Sequence, residues 1–427
     1  MREDLLHFIW KTKKLPLGRL ETSKKEPLII HGSGLHNQNA GPDFFNAQIE
    51  INGQLWAGNV EIHLKASDWY AHNHETDPNY DNVILHVVWE HDVAVFRKDN
   101  SEIATLELKN YISPSLLEAY MALMDNPKRK FINCEKDFKS VNQFQIENWL
   151  ERLYIERLES KSALVFTLLK QSNNDWEQVL FSMLLKNFGT TLNGNAFLSI
   201  SEVLDFSVVR KLQNSSIALE SLFFGMANLL EDQEVTDEYY QNHQKEFNFL
   251  RTKFQLNNEQ VLKLNFFGLR PNNFPTLRLS QLANLYSTNH HLFSKLIEVK
   301  NVDEIYALFD LYANSYWDTH FTFGKESKPR KKKLTKNFID LIIINTIIPI
   351  KFSYAKSLGK TIDDTLFLLM RNLKPEKNSI IEKYDSIGSK TKNAFESQSK
   401  LQLYNQYCKE NKCLQCSLGM TLLNENG

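Results

Sequence analysis

Apolar and polar positions alternate along much of the first 120 residues, as they do in strands that bury one face. The runs Phe44 to Ile51 and Leu55 to Lys65 follow this alternation, and the Asn52-Gly53 pair between them predicts a tight hairpin. Val83 to Glu90 is almost continuously apolar, which predicts a central strand covered on both faces. The other elements predicted here are a helix from Asp4 to Trp10, a short β-type run from Pro27 to His31, and a hairpin formed by Val93 to Phe96 and Ile103 to Leu108.

The pattern changes near Ser113, after which apolar positions recur with the 3.6-residue period of helices. The helical runs include Ile146 to Lys170, Trp176 to Asn187, Ile217 to Leu230, Glu259 to Leu264, Leu279 to Leu285, Phe293 to Ile297 and Phe338 to Ile348. The sequence therefore predicts a mixed α+β protein, with an α/β domain at residues 1–120 and a large, mostly α-helical domain at residues 135–427.

The composition is that of an ordinary globular protein, with 42% hydrophobic and 24% charged residues. A formal net charge of −1 gives no overall attraction for nucleic acid, so such binding would need a local basic patch. The most apolar run, Phe338 to Ile350, is shorter than a membrane span and contains Asp340, Asn345 and Pro349. We expect it to be a buried helix, and we expect no membrane partner. The N-terminus is too charged for a signal peptide and four cysteines are too few for a disulfide framework, so we expect a cytoplasmic protein.

Histidines and carboxylates are concentrated before residue 92. Eight of the twelve histidines lie there: His7, His31, His36, His63, His72, His74, His86 and His91. The carboxylates of Asp43, Glu61, Asp68 and Asp77 are interleaved with them. Neutral imidazoles and carboxylates serve as metal ligands and as general acids or bases, so this segment predicts a functional site.

One strand face carries three ionisable groups. Because side chains alternate across a strand, Glu61, His63 and Lys65 share a face. The predicted hairpin brings Asp43, which precedes the neighbouring strand, toward the same end. Two carboxylates and a lysine grouped in this way can bind a divalent metal and orient a water for attack on a phosphodiester.

This arrangement resembles the PD-(D/E)xK phosphodiesterase superfamily, whose core runs helix, strand, strand, strand, helix, strand. Pro42-Asp43 matches the PD element, and Glu61 matches the second carboxylate at an acceptable distance along the chain. The residue two positions after Glu61 is His63, and Lys65 follows it at four, so one of them must act in the lysine role. The resemblance implies a nuclease in which Asp43 and Glu61 bind Mg²⁺ or Mn²⁺, or alternatively Zn²⁺. It also implies nucleic acid as the partner.

The histidines that follow offer a second arrangement of metal ligands. His72 and His74 lie two residues apart, and with Asp77 or Glu61 they could hold Zn, Mn or Fe. His86, inside an apolar run, is a further candidate. The structural alternatives are that Asp68 caps a helix beginning at Trp69, that His86 is a satisfied core histidine, and that Tyr80-Asp81-Asn82 is a turn. All of these structural alternatives would have to hold at once if the cluster had no function. The cluster as a whole therefore favours a functional site.

The same stretch also resembles an uncharacterised bacterial family known only as a domain of unknown function. Its pattern is G-x-V-E-x-H-x-(K/R)-x-S-D-W-x-x-H-x-H, followed by Y-x-x-V-x-L-H-V-V. In this chain the pattern is carried by Gly58, Val60, Glu61, His63, Lys65, Ser67, Asp68, Trp69, His72, His74, Tyr80, Val83 and Leu85 to Val88, with later matches at Arg270 to Pro275, at Arg278-Leu279 and at the terminal cysteines. The resemblance implies a family without an established activity.

The chain closes on the cysteine motif Cys408-x4-Cys413-x2-Cys416, and the fourth cysteine, Cys134, lies far upstream. Cys-x2-Cys lets two thiolates chelate one ion, Cys408 adds a third, and Cys134 or a histidine completes four ligands for Zn or an Fe–S cluster. One upstream and three C-terminal cysteines are similar to the iron–sulfur staple of some PD-(D/E)xK nucleases. The alternative is a set of reduced thiols on a terminal helix.

Two basic features complete the list of candidates. Arg270 and Arg278 flank a rigid segment with two prolines and could clamp a phosphate, or they could pair with carboxylates in a structural corner. The run from Gly324 to Lys336 is either a solvated connector or a phosphate-contacting loop.

Three functional hypotheses follow from these patterns. The first is a divalent-metal-dependent nuclease of PD-(D/E)xK type. The second is a non-catalytic nucleic-acid-binding or scaffold protein with a degenerate nuclease fold. The third is a His/carboxylate metallohydrolase that acts on a small molecule. The sequence leaves the oligomeric state open.

Overall fold

The computed structural model describes residues 2–37, 39–124, 131–361 and 364–426, which fold into two compact units. The first unit comprises Met1–Trp149, Asp385–Ser389 and Leu403–Gly427, and the second comprises Leu150–Tyr384 and Lys390–Gln402. The protein is mixed α+β, with a sheet near the N-terminus followed by a large helical region. The units differ from the predicted domains at their ends, because residues 135–149 and the C-terminal segment fold with the sheet.

One sheet of seven strands organises the described part of the first unit. Its strands are β1 (Leu20–Glu21), β2 (Pro27–Gly32), β3 (Leu35–His36), β4 (Phe44–Ile51), β5 (Gln54–Lys65), β6 (Val83–Glu90) and β7 (Ala104–Glu107). The order is β1-β2-β4-β5-β6-β7, with β3 paired to β4. Pairs from β1 to β5 are antiparallel, whereas β5–β6 and β6–β7 are parallel. Two strands, β8 (His320–Thr322) and β9 (Lys325–Glu326), pair separately in the second unit.

The hairpin between β4 and β5 confirms the prediction made from its turn. Ile51 pairs with Gln54, and Asn52 and Gly53 have φ of 51° and 80°. Positive φ at both central residues matches the right-handed twist of the flanking strands, and Asn-Gly adopts it readily. The central strand β6 has the predicted bounds, and its first six residues are buried.

The second predicted hairpin is confirmed only at its turn, where the backbone N–H of Ile103 donates to the carbonyl oxygen of Val95 at 2.9 Å. β7 pairs parallel with β6, and Phe96 forms an isolated antiparallel bridge with Glu102. Ile103, Leu106 and Leu108 are buried, which accounts for the apolar run. An apolar pattern records burial and does not fix which strand is the partner or in which direction it runs.

Helices make up most of the remainder. They are α1 (Glu3–Thr12), α2 (Asp68–Ala71), α3 (Pro114–Met124), α4 (Gln143–Gln171), α5 (Trp176–Phe188), α6 (Thr190–Val203), α7 (Phe206–Leu212), α8 (Ser216–Met226), α9 (Glu238–Phe254), α10 (Pro275–Thr288), α11 (Leu292–Glu298), α12 (Val302–Leu308), α13 (Lys336–Ile342), α14 (Ile348–Ser357), α15 (Asp364–Arg371), α16 (Ser379–Ser386), α17 (Ala394–Leu403) and α18 (Ser417–Asn426). The predicted N-terminal helix is confirmed as α1, which packs on β5 through a fully buried apolar face.

The most apolar stretch of the second unit is a core helix. α13 and α14 join through a π-helical turn, Ile343–Ile347, into one helix from Lys336 to Ser357. It is long and apolar enough to cross a membrane, but 67% of its most apolar window is buried within the protein. Its burial agrees with the prediction for this run.

Candidate metal centre

The start of β4 and the middle of β5 hold the two carboxylates of the site together. The backbone N–H of Asp43 donates to Glu61 Oε2 at 3.1 Å, and the backbone N–H of Ile62 donates to Asp43 Oδ2 at 2.9 Å. The register of β4 against β5 shifts between Phe44 and Ala47. Such bulges re-aim side chains near functional sites. Asp43 therefore lies beside Glu61, as the hairpin predicts.

β5 and the start of β6 approach each other closely at Gly58, three residues before Glu61. A Cβ added at Gly58 would lie 2.4 Å from Ile84 Cγ2 and 2.7 Å from the carbonyl oxygen of Asn82. Glycine is therefore required for β5 to lie against β6 at this point. The parallel register then sets Glu61 opposite His86.

Three histidines converge above this pair of strands. His63 projects from β5, His72 follows the end of α2, and His74 returns after Asn73, whose φ is 58°. His63 Nε2 lies 3.1 Å from His72 Nδ1. One ring nitrogen from each of the three histidines lies within 4.8 Å of the other two. The end of α2 and the left-handed residue Asn73 bring His72 and His74 together.

The carboxylate of Glu61 flanks two of these rings. Glu61 Oε1 lies 3.5 Å from His63 Nε2 and 3.3 Å from His74 Nε2. Glu61 is only 5% exposed, and this burial, together with the charge of Asp43, raises the pKa of its carboxyl above the usual value. A carboxyl with a raised pKa is suited to accept a proton near neutral pH.

A second layer of aromatic groups holds the histidines in place. His63 Nδ1 lies 2.9 Å from His86 Nε2, and Tyr80 stacks on His74 with ring centroids 3.8 Å apart. Trp69 meets both His74 and His86. Burial has the largest effect on the pKa of His63, and the nearby His74 and His72 have smaller ones. Together they lower this pKa to about 3, so the ring is neutral at physiological pH. Burial also lowers the pKa of His86 well below its usual value.

Helix α1 adds two groups that the sequence reasoning missed. His7 Nε2 lies 3.3 Å from Asp43 Oδ2, and the carboxyl of Glu3 is close enough to both to act on them electrostatically. Burial alone would lower the pKa of His7, but Asp43 and Glu3 outweigh it and the pKa is raised. Glu3 and His7 lie four residues apart on a helix whose other face is apolar. This spacing places both side chains on the same polar face, and it was the only feature of the sequence that could have indicated their proximity to each other.

Of the comparisons with known proteins, the one with family models found a match. Residues 3–379 match a family described as a protein of unknown function, DUF2851. The chain belongs to the DUF2851 family. No curated protein and no solved structure matches it. The matched residues include the whole candidate metal centre, whereas Cys408, Cys413 and Cys416 lie beyond them.

Two predicted site residues have other partners. The backbone N–H of Lys65 donates to Asp68 Oδ2 at 2.9 Å, and its exposed side chain acts electrostatically on Asp92. Asp77 Oδ1 accepts the backbone N–H of Asn79 at 2.9 Å and caps a short 3-10 turn. The group beside Glu61 on this strand face is therefore His63 rather than Lys65.

The predicted phosphate clamp in the second unit has one buried and one exposed member. Arg278 is 5% exposed and donates to Asn273 Oδ1 at 2.6 Å and to Gln281 Oε1 at 2.9 Å. Its guanidinium lies 3.5 Å from the centroid of the Phe338 ring, and burial lowers its pKa to about 9. Arg270 is exposed. The partners of Arg278 are side-chain amides and an aromatic ring, not the carboxylates expected at a structural corner.

Proposed function

We propose that this protein is a divalent-metal-dependent hydrolase whose metal is bound by His63, His72 and His74. The observation that carries the proposal is the grouping of three imidazole nitrogens within 4.8 Å, with Glu61 beside them. Zn–N bonds of about 2.0–2.1 Å in a tetrahedron place ligand nitrogens roughly 3.3 Å apart. The 3.1 Å between His63 Nε2 and His72 Nδ1 fits that spacing. Three protein ligands leave a fourth position for water, as in catalytic rather than structural zinc sites.

The ligand chemistry favours a first-row transition ion. Imidazole nitrogen suits Zn²⁺ and Fe²⁺, whereas Mg²⁺ and Mn²⁺ prefer carboxylate, carbonyl and water oxygens. Of the ions implied by the nuclease resemblance, Zn²⁺ is therefore favoured over Mn²⁺ and Mg²⁺ by the three imidazoles. A neutral His63 supports metal binding at this residue, since only a neutral imidazole can bind a metal.

Each residue around the three histidines has its own role in the proposed reaction. A bound divalent ion makes water a strong nucleophile at neutral pH and polarises the bond that is attacked. Glu61, buried and with a raised pKa, would accept the proton of an attacking water. Asp43 is held by the backbone of Ile62 and faces His7, whose raised pKa lets it carry a proton to the leaving group. His86 orients His63 from behind.

The order of elements supports a phosphodiester as the substrate. When the two-residue strands β1 and β3 are set aside, α1, β2, β4, β5, α2 and β6 have the helix, strand, strand, strand, helix, strand order of the PD-(D/E)xK core. Asp43 stands directly before the second of these strands and Glu61 lies on the third. In this proposal a histidine site has replaced the lysine on the third strand.

The test is a cleavage assay on the purified full chain with Mn²⁺, Zn²⁺ or Mg²⁺. The substrates are single- and double-stranded DNA and RNA and the general phosphodiester bis(p-nitrophenyl) phosphate. We expect cleavage with Mn²⁺ or Zn²⁺ that disappears in His72→Ala and persists in His31→Ala, because His31 is exposed and faces Glu50. Equal cleavage by both variants would show that the metal centre takes no part in the reaction.

A second candidate is a metallohydrolase that acts on a small molecule at the same centre. The placement of Lys65 favours it, since this lysine is exposed at the end of β5 and acts electrostatically on Asp92. This candidate predicts metal-dependent cleavage of small esters or amides, lost in His72→Ala, with every nucleic-acid substrate left intact.

A further inference from the structure

The polar face of helix α1 extends past the metal centre. Glu3, His7 and Lys11 follow one another at intervals of four residues, and this spacing places them on one face of the helix. The carboxyl of Glu3 interacts electrostatically with His72, so the first turn of α1 is beside the metal ligands. His7 comes next, with Nε2 3.3 Å from Asp43 Oδ2. Lys11 lies one further turn along the helix, away from the metal ligands.

A further histidine, His36, lies beside this face. Its ring meets the ring of His7 edge to face with the centroids 5.6 Å apart, and it stacks on the buried ring of Phe44 at 4.9 Å. His36 also pairs with Phe44 across β3 and β4, and the next backbone N–H, that of Asn37, donates to the carbonyl oxygen of Asp43 at 2.7 Å. Strand pairing and ring packing together fix His36 next to the contact between His7 and Asp43.

Lys11 and His36 offer hydrogen-bond donors that the protein itself does not use. Lys11 is exposed and His36 is half-buried. Within the described part of the chain, neither the ammonium group of Lys11 nor the ring nitrogens of His36 have a hydrogen-bond or ion-pair partner. The two side chains are close enough to interact electrostatically. Burial, with smaller effects from His7 and Lys11, lowers the pKa of His36, so its neutral ring has one N–H to donate.

The charges along α1 separate a metal side from an anion side. Glu3 and Lys11 are eight residues apart, about 12 Å along the helix axis, and His7 lies midway between them. Glu61 and Asp43 lie on the metal side of His7. A free ammonium group beside a neutral N–H donor suits an anionic oxygen, because a hydrogen bond from a charged donor to a charged acceptor is among the stronger ones.

We propose that Lys11 and His36 bind an anionic group of the substrate on the leaving-group side of the metal centre. For the phosphodiester substrate proposed above, this group is the neighbouring phosphate of a nucleic-acid strand. The inference rests on the proposed function, because the leaving-group side is defined by the proton that His7 delivers there. Contacts to phosphate position a strand without reading its bases, so this subsite selects a flanking phosphate and not a base sequence.

The test measures binding of a fluorescently labelled single-stranded oligothymidylate by anisotropy at several salt concentrations. The full chain carries Glu61→Gln and Zn²⁺, which keeps the strand intact. Adding Lys11→Ala should weaken binding about tenfold. It should also reduce the slope of log K against log salt by about 0.7, the effect of losing one phosphate contact on a single strand. Lys25→Ala, at an exposed lysine between β1 and β2, is the matched control and should change neither quantity.

His36 gives an independent second variant. His36→Ala should weaken binding but keep the salt slope, because a neutral donor releases no counterion. His36→Gln, which keeps an N–H donor, should recover part of the affinity. Lys11→Ala that binds like Lys25→Ala, or a parent protein that does not bind the strand, would overturn the proposal.

Cleavage and binding separate this inference from the function on which it rests. Metal-dependent cleavage that is lost in His72→Ala, together with binding that is insensitive to Lys11→Ala, would reject the subsite and leave the hydrolase. Binding that depends on Lys11, without any metal-dependent cleavage, would reject the hydrolase. It would also overturn the assignment of the subsite to a leaving-group side.

Discussion

His63 Nδ1 lies 2.9 Å from His86 Nε2, and the two side chains are 2% and 0% exposed. A neutral imidazole carries one ring proton. If His63 donates it from Nδ1 to His86, the lone pair on its Nε2 faces His72 and Glu61 and is free to bind a metal. The contact with His86 therefore determines that Nε2 is the nitrogen of His63 that is available to the metal.

Replacing His86 should weaken metal binding without removing a ligand. His86→Ala takes away the acceptor of the His63 proton, and we expect metal affinity to fall about 10–100-fold. His86→Gln, which keeps an acceptor, should retain more of the affinity. Calorimetric titration of Mn²⁺ and Zn²⁺ measures both, and an affinity in His86→Ala equal to that of the unaltered protein would show that this contact does not orient the ligand.

Glu61→Gln should separate metal binding from turnover. The amide keeps the size of the side chain but cannot accept a proton, so we expect cleavage to fall about 10²–10⁴-fold. Metal affinity should change little, because the three histidines remain. If Glu61→Gln loses the metal as completely as His72→Ala does, Glu61 is a ligand instead of the base.

Acidification should destabilise the metal-free protein. The pKa of His63 falls from 6.5 to about 3 on folding, chiefly through burial. Above pH 6.5 the ring is neutral in both states and adds no pH dependence. Between pH 6.5 and about 3 the unfolded chain takes up a proton that the folded chain excludes, so the free energy of unfolding falls as the pH falls.

Thermal unfolding in chelator between pH 7 and pH 4 measures this dependence. His63→Gln removes the titrating group, so its melting temperature should fall less steeply with pH than that of the unaltered protein. His31→Gln, at an exposed histidine, is the matched control and should keep the original slope. Identical slopes in all three proteins would mean that His63 titrates normally in the folded state.

The sequence was informative where local patterns decide the structure. Asn52-Gly53 specified the β4–β5 hairpin and thereby the approach of Asp43 to Glu61. The parallel pairing of β6 with β7 was missed, since long-range pairing leaves no local pattern. His7 was missed as a partner of Asp43 because only the packing of α1 on β5 brings it there.

The two arginines of the second unit should respond differently to truncation. Arg278→Ala leaves the side-chain oxygens of Asn273 and Gln281 unpaired and opens a gap at Phe338, so we expect a loss of about 2–4 kcal/mol in unfolding free energy. Arg270→Ala, at an exposed position, should change it by less than about 0.5 kcal/mol. Chemical unfolding of the two variants checks both values, and equal losses would contradict a structural role specific to Arg278.

Metal titration of three proteins tests the histidine centre most directly. Mn²⁺ and, separately, Zn²⁺ are titrated calorimetrically into the unaltered chain, His72→Ala and His31→Ala. The account predicts a binding event in the unaltered protein and in His31→Ala that is absent from His72→Ala with at least one of the two ions. Identical titrations for all three proteins with both ions would contradict a metal centre at His63, His72 and His74.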